Sequence, residues 1–175
     1  MTSAPLTIRP AGPEDAPALL ALIHAAYRGE GGRTGWTTEA ELIDGPRTTL
    51  ELLAADLADP AITLFVAGEY EGCCAVTHRG GGDTASFGMF AVAPSQQGSG
   101  LGKVLQAAAE EHARQAGATT MELCVIDRRA ELIAWYERRG YVRTGETRPF
   151  PYGEPGVGHP RGDDFRFAVL TKPLQ

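Results

Sequence analysis

Cysteine is scarce in this sequence, with three residues among 175 and two of them adjacent, at Cys73 and Cys74. Neither their number nor their spacing matches a disulfide framework or a zinc-binding pattern. We therefore expect free, reduced and buried thiols, and no metal site.

Long hydrophobic runs and an excess of positive charge are also missing. No apolar run reaches the roughly 18 residues of a membrane-spanning helix. The 16 Lys and Arg residues against 22 Asp and Glu residues give a formal net charge of −6, which argues against a nucleic-acid-binding surface. Residues 1–5 lack the basic and apolar pattern of a secretion signal. The sequence therefore predicts a cytoplasmic protein without a membrane or nucleic-acid partner.

The chain is long enough, and at 43% hydrophobic content apolar enough, for one domain spanning residues 1–175. Its periodicities predict the order β-α-α-β-β-β-α-β-α-β-β. Predicted strands cover 6–10, 62–68, 71–77, 84–92, 119–126, 141–145 and 165–171. Predicted helices cover a segment from Pro13 to a stop at Gly29, then 46–59 with Thr48 and Glu51 as a capping box, 100–116 and 128–139. Residues 38–43 are predicted as a short helical turn.

A helix between the strands 84–92 and 119–126 requires a parallel crossover, whereas the strands before it can pair as antiparallel hairpins. A mixed α/β sheet with helices on both faces satisfies both constraints. The segments 28–38 and 147–163 are rich in glycine or proline, and we expect both to be loops. A loop as long as 147–163 is usually functional or mobile.

A glycine-rich turn, Gln97-Gly98-Ser99-Gly100-Leu101-Gly102, links a strand to a helix that continues from Lys103. The first amides of a helix lack partners within the helix, and the helix dipole favours an anion there. The turn is not a Walker loop, because three residues separate Gly98 from Gly102 and Val104 stands where a hydroxyl is needed. It also departs from G-x-G-x-x-G, since position 103 is Lys and the next strand ends without an acid.

A third pattern, Q/R-x-x-G-x-G/A after a strand ending Val92-Ala93-Pro94, resembles the pyrophosphate loop of the GNAT superfamily of acyl-CoA N-acyltransferases. The segment Ala130 to Tyr141 resembles that superfamily's A-x-x-x-Y-x-x-x-G-[FY] signature. The resemblance covers about residues 6–172. It implies a twisted, mostly antiparallel sheet of about seven strands, splayed between the fourth and fifth.

The resemblance also implies a binding site for acetyl-CoA in that opening. Main-chain groups along Phe90, Ala91 and Val92 would pair with the pantetheine arm as an added strand does. Asp127 stands where the family often has the Asn that contacts this arm. The pyrophosphate would bind backbone amides of Gln97, Gly98, Ser99, Gly100, Leu101, Gly102 and Lys103.

Tyr136 matches the family tyrosine that donates a proton to the departing CoA thiolate and so contributes to the cofactor site. A phenol with a pKa of about 10 matches a thiolate of similar basicity. The alternative is a core aromatic residue on an apolar helix face, which is the interpretation we favour for Trp135 and Tyr141.

The general base is not identified by the sequence. The strand 84–90 carries no carboxylate, so we expect a water relay, with Glu122, His78 and Glu41 as weaker candidates. Cys124 raises the possibility of an acyl-cysteine route, but a strand cysteine without an evident base is usually inert.

The acceptor pocket is expected between the loops 28–45 and 147–163. Its candidate residues are Arg33, Trp36, Glu39, Glu41, Arg148, Tyr152, His159 and Arg161, a mixture that suits a small polar amine. Trp36 has the alternative role of covering the core. The run Arg143 to Pro151 resembles one found in a bacterial GNAT subgroup without a settled substrate.

The leading hypothesis is an acetyl-CoA-dependent N-acetyltransferase acting by direct attack in a ternary complex, as a possible homodimer. The alternatives are a non-catalytic acyl-CoA-binding or regulatory module and a protein or peptide N-acetyltransferase.

Overall fold

The computed structural model describes residues 5–27, 42–154 and 158–175. Within those ranges the elements are β1 (Ile8–Pro10), α1 (Ala16–Tyr27), β2 (Ile43–Asp44), α2 (Leu50–Ala58), β3 (Ile62–Ala67), β4 (Gly72–Thr77), β5 (Thr84–Val92), α3 (Leu101–Gln115), β6 (Thr120–Ile126), α4 (Ala130–Glu137), β7 (Val142–Pro149), β8 (His159–Pro160) and β9 (Arg166–Pro173).

Seven strands form one sheet in the order β1-β3-β4-β5-β6-β9-β7. The neighbouring strands pair antiparallel except β5 and β6, which run parallel. A separate two-stranded ribbon joins β2 to β8. The predicted mixed, mostly antiparallel sheet of seven strands is confirmed.

The parallel pair separates soon after it begins. Its register contains Thr84↔Thr120, Ala85↔Met121 and Ser86↔Glu122, and stops there. In β5 a bulge places Met89 and Phe90 opposite Cys74 of β4, and Met89 has a φ of 47°. A bulge bends its strand and increases the local twist. The later halves of β5 and β6 therefore diverge and leave an opening in the sheet.

Helices cover both faces of the sheet, as predicted. The first face packs against α3 and α4, through a core that includes Leu105, Leu123 and Leu132. On the second face, α1 and α2 cover the N-terminal strands through Leu19, Ile23, Leu53, Val66 and Ala91.

Gly72 on β4 allows α3 to approach the sheet closely. A Cβ at this position would lie 2.7 Å from Cδ1 of Leu105 and 3.2 Å from the carbonyl oxygen of Ala91. Leu101, Leu105 and Ala109 lie on the buried stripe of α3, at the four-residue spacing of one helix face. These contacts hold the start of α3 against the ends of β4 and β5.

Two predicted boundaries in the first half of the chain differ from the structure. The second helix begins at Leu50, and its N-cap is Thr49, whose Oγ1 accepts from the amide of Leu52 at 3.2 Å. The predicted capping box at Thr48 and Glu51 is therefore wrong, because the N-cap is the next residue, Thr49. Ile43 lies in β2 rather than in a helical turn, and residues 38–41, like Gly29, lie outside the described residues.

The strand predicted at 141–145 extends to Pro149 through an irregularity between Arg143 and Thr147. Pro149 is tolerated because β7 lies at the edge of the sheet, where one side of the strand needs no amide donor. The loop predicted at 147–163 consequently begins later and contains β8.

Among the described helices, none combines the length and the apolar character that crossing a membrane requires.

Candidate active site

The opening between β5 and β6 exposes the backbone of Phe90 and Val92. The amide of Ala93 donates to Glu71 O at 2.8 Å, and Ala91 is paired with Cys73, so both residues direct their peptide groups toward β4. Because peptide groups alternate along a strand, those of Phe90 and Val92 face the opening. Tyr27 Oη donates to Phe90 O, and Gln97 Nε2 donates to Val92 O at 3.1 Å. The N–H group of Val92 lies on the same edge of the strand as its carbonyl oxygen and therefore also faces the opening.

The glycine-rich turn at the start of α3 forms a cradle of backbone amides. Gly98 and Gly100 have φ values of 84° and 89°, which favour glycine. Within the described part of the chain, the amides of Gly98, Gly100, Gly102 and Lys103 have no hydrogen-bond partner. They adjoin a cavity of about 430 Å³.

Two residues of the turn use their amides internally. Ser99 N donates to Gln96 O at 3.2 Å, and Leu101 N donates to Ser99 Oγ at 3.4 Å. The Ser99 hydroxyl in turn donates to Gln96 O at 2.6 Å. These bonds fix the shape of the turn. The neighbouring amides that have no partner can donate hydrogen bonds to an anion.

Trp135 and Arg139 of the α4 region form the other wall of this cavity. The guanidinium carbon of Arg139 lies 3.7 Å from the centre of the Trp135 ring, and its Nη1 donates to Trp135 O at 2.7 Å. Its buried Nε has no partner among the described residues, and burial lowers the pKa of the guanidinium. Sequence reasoning missed Arg139 and assigned Trp135 to the core alone. Their four-residue spacing was the available signal.

Tyr136 lies in the wall of a smaller cavity, of about 80 Å³, between the diverging halves of β5 and β6. Its side chain is 4% exposed and packs against Phe87, with ring centres 6.3 Å apart, and against Phe90 at 6.4 Å. No described residue donates a hydrogen bond to its hydroxyl or accepts one from it. Burial, reinforced by Tyr27, raises its pKa well above the usual value.

The raised pKa changes one expectation from the sequence. The sequence predicts a phenol whose pKa, of about 10, is close to that of the CoA thiol. In the structure, burial raises the pKa of Tyr136, so its phenol stays protonated to a higher pH. The hydroxyl is therefore in the donor form throughout the ordinary pH range.

Arg47 and Arg129 line the same small cavity and were not found from the sequence. The guanidinium carbon of Arg47 lies 5.4 Å from the centre of the Tyr27 ring. Arg129 is the N-cap residue of α4. No Asp or Glu is among the cavity-lining residues that the structure describes.

The two acceptor loops come together only in part. β2 and β8 pair through Ile43↔Pro160 and Asp44↔His159, and the amide of Arg161 donates to Leu42 O at 2.8 Å. Arg33, Trp36, Glu39 and Glu41 lie outside the described residues.

Arg148 and Tyr152 already have partners within the chain. Arg148 donates to Glu122 at 2.7 Å and to Glu146 at 3.0 Å, and these carboxylates raise the pKa of its guanidinium. The Tyr152 hydroxyl accepts from the amide of Phe165 at 2.8 Å. Neither residue is part of the described lining of the small cavity.

The candidate bases differ in where they lie. Glu122 is paired with Arg148, and the Nε2 of His78 lies 2.7 Å from Gly82 O in the β4–β5 turn. Asp127 was predicted at the pantetheine arm rather than as a base; it is exposed in the turn after β6, and its amide donates to Arg166 O at 2.9 Å.

Cys124 lines the small cavity, and burial is the main cause that raises the pKa of its thiol. A protonated thiol is a poor nucleophile. The strand β5 thus lies beside two features, the buried phenol of Tyr136 and the amide cradle.

Comparison with known proteins agrees with this geometry. Residues 22–141 match the Acetyltransferase (GNAT) family. The sequence matches none of the curated proteins with which it was compared.

Solved structures share the fold at low sequence identity. The ribosomal-protein-S18-alanine N-acetyltransferase from Escherichia coli is 19% identical with a TM-score of 0.71, over 97% of this chain and 94% of the other. The Salmonella typhimurium protein yncA, solved with its cofactor acetyl-CoA, is 21% identical with a TM-score of 0.67, over 98% and 95%. A chimera of the Vibrio cholerae spermidine N-acetyltransferase SpeG with hSSAT is 18% identical with a TM-score of 0.67, over 98% and 96%.

The family match spans more than half of the chain and includes the glycine turn and Tyr136. The chain therefore belongs to the Acetyltransferase (GNAT) family, and it is an acetyl-CoA-dependent acyltransferase.

Proposed function

We propose that this protein transfers the acetyl group of acetyl-CoA to the primary amine of a small polar metabolite, by direct attack in a ternary complex. One observation carries the proposal: the strand β5 lines both cavities, through Val92 at the amide cradle and through Phe87 to Phe90 beside Tyr136. Residues 1–175 act in this proposal as one catalytic domain.

The residues present suit the pyrophosphate and the pantetheine arm of the donor. The unpartnered amides of Gly98, Gly100, Gly102 and Lys103 would hold the pyrophosphate, since amides at a helix start favour an anion. Arg139 adds a cation with an unpartnered buried Nε at the same cavity. Main-chain groups of Phe90, Ala91 and Val92 would pair with the pantetheine arm as an adjacent strand does.

Bound acetyl-CoA supplies the thioester on which the amine acts. The N–H of the β5 backbone near Phe90 would polarise the thioester carbonyl as the C–N bond forms, a contribution worth about 3–4 kcal/mol in comparable sites. Tyr136 would donate its proton to sulfur as the C–S bond breaks. The amine would lose its proton to water, because no carboxylate lines the described cavity.

A non-catalytic acyl-CoA-binding module is the alternative that one observation favours, namely the lack of a carboxylate base in the described cavity lining. The two functions differ in thiol release. Release of CoA from acetyl-CoA should require an added amine and should accompany formation of the N-acetyl product. Tight binding of acetyl-CoA without release on any of amino acids, polyamines, aminoglycosides or short peptides would contradict the proposal.

A further inference from the structure

Gly88 of β5 is a glycine that the described part of the chain does not require. Its φ is not positive, and no described heavy atom lies within 4 Å of the place that a Cβ would occupy. The other glycines of the described strands differ, since Gly72 makes room for α3 and Gly145 has a φ of 85°. Glycine weakens the interior of a strand, and one that neither conformation nor packing requires is typical of a place where a ligand approaches the backbone closely.

Gly88 lies in the wall of the small cavity that Tyr136 also lines. Phe87, the residue before it, belongs to the core between the sheet and the helices α3 and α4. Because side chains alternate along a strand, position 88 is directed to the second face of the sheet. The lining of the cavity includes residues from the cores of both faces, such as Leu132 and Met89. The cavity therefore extends between the two faces, and Gly88 borders it on the second.

The two faces of this cavity differ in the size of the side chains around it. On the first face, Leu123, Leu132 and Tyr136 are large and buried. On the second face, the opening is flanked by Gly88 on β5 and by Cys124 on β6, both small and both exposed. Bulky side chains thus close the first face, whereas the strands on either side of the opening carry little bulk on the second.

A buried polar group in the same wall points independently to a ligand. The side chain of Tyr136 is 4% exposed, and no described residue forms a hydrogen bond with its hydroxyl. In the proposed reaction its partner is the sulfur of the donor, whose pantetheine arm approaches from the cradle along Val92. Gly88 lies farther from the cradle along β5 than Val92 does. The space beside Gly88 is therefore beyond the thioester, on the side left for the acceptor.

We infer that Gly88 determines the acceptor specificity of this protein. The strand has no side chain at this position, which leaves room for the group that carries the reacting amine and limits how bulky that group can be. This inference rests on the proposed N-acetyltransfer and specifies a residue that selects its acceptor.

The test adds bulk at this position and measures the two substrates separately. Gly88→Ala adds a methyl group and Gly88→Val an isopropyl group, and neither requires an unfavourable φ. The probe is the amine with the highest kcat/KM among amino acids, polyamines, aminoglycosides and short peptides. We expect its kcat/KM to fall about tenfold in Gly88→Ala and about 100-fold or more in Gly88→Val, the range for small steric changes in a substrate pocket. The dissociation constant for acetyl-CoA should not change.

The same substitutions should not weaken the fold. Alanine restricts the unfolded chain more than glycine does, and valine suits a strand, so the melting temperature should stay the same or rise. Gly88→Ser should behave like Gly88→Ala, because the effect depends on size. Ser86→Val is the control, since Ser86 lies on the same face of the same strand but outside the described cavity lining. It should change neither kcat/KM for the amine nor binding of acetyl-CoA.

Three results would overturn the inference and leave N-acetyltransfer standing. An unchanged kcat/KM for the amine in Gly88→Val would show that the acceptor does not use this space. Weaker binding of acetyl-CoA would assign the space to the donor, and a lowered melting temperature would show that the chain itself fills it. Absence of amine-dependent thiol release by the wild-type protein across the whole panel would overturn both the inference and the proposed function.

Discussion

At the scale of single residues, Tyr136 combines burial with a hydroxyl that no described residue engages. Phe87, Phe90, Trp135 and Tyr141 surround its ring at centre distances between 5.2 and 6.4 Å. A buried hydroxyl usually finds a partner within the protein. An unengaged one at a cavity wall is suited to a ligand, and in the proposed reaction that ligand is the departing sulfur.

Tyr136→Phe should lower kcat about 100-fold or more, in the range measured for loss of a general acid, with little change in binding of acetyl-CoA. Steady-state kinetics and a binding titration measure the two effects. Tyr141→Phe is the matched control. Its hydroxyl donates to Glu110 at 3.0 Å, so that variant should lose about 1 kcal/mol of stability and keep kcat. Unchanged turnover in Tyr136→Phe would remove Tyr136 from the mechanism.

The direction of the Tyr136 pKa shift predicts the shape of the pH profile. Since burial raises this pKa, the donor form persists above the ordinary tyrosine value of about 10. The kcat of the wild-type protein should therefore show no decline assignable to Tyr136 between about pH 8 and 10. A decline in this range that disappears in Tyr136→Phe would show that the phenol ionises there instead.

We expect the positively charged side chain of Arg139 to contribute to binding of the CoA phosphates. Arg139→Met should raise the KM for acetyl-CoA about tenfold, because it removes a charged donor from the cradle cavity, and leave kcat nearly unchanged. Arg138→Met, at the exposed neighbouring position, should change neither constant.

Acetyl-dephospho-CoA distinguishes which phosphate Arg139 contacts. If it is the pyrophosphate, Arg139→Met weakens both donors equally. If it is the 3′-phosphate, the loss is confined to acetyl-CoA. An unchanged KM for both donors would contradict a role for Arg139 in phosphate binding.

At the scale of elements, the start of α3 and the bulge of β5 together build the donor site. Gly72 admits the close approach of α3, and the positive φ values of Gly98 and Gly100 turn successive amides toward one cavity. The bulge at Met89 bends β5 away from β6. These three features position the groups that would bind the donor and take no part in the reaction themselves.

Gly100→Ala tests whether the cradle depends on this backbone conformation. No heavy atom lies within 4 Å of the place that a Cβ would occupy, so the effect comes from the φ of 89° and not from a clash. We expect a loss of about 1–2 kcal/mol in stability and a KM for acetyl-CoA raised severalfold. Gly80→Ala, also in open space and without a positive φ, should leave thermal melting and KM unchanged, and equal behaviour of both variants would contradict the assignment.

The sequence predicted elements with strong local signals and missed sites that depend on three-dimensional arrangement. The strands 62–67 and 72–77 and the glycine turn were found because apolar composition and the tight turns between them define them. Arg47 precedes α2 and Arg129 precedes α4, and only the fold brings them to one cavity. The Met89 bulge was also missed, since a methionine carries no signal for a positive φ.

At the scale of the whole molecule, the sheet order places the amide cradle and the cavity that Tyr136 lines along one strand, β5. The order β1-β3-β4-β5-β6-β9-β7 followed in outline from the crossover at 84–126 and from the family resemblance. The pairing of β2 with β8 was not predicted, because two-residue strands leave almost no pattern in a sequence. This pairing brings the end of the first acceptor loop against the second.

The central claim is that acetyl transfer occurs directly, between a donor and an acceptor bound together in this opening. Initial rates measured while both acetyl-CoA and the best amine are varied test it most directly. The account predicts double-reciprocal lines that intersect, and no acetylated protein after incubation with acetyl-CoA alone. Parallel lines, with an acetyl group retained on Cys124, would contradict it.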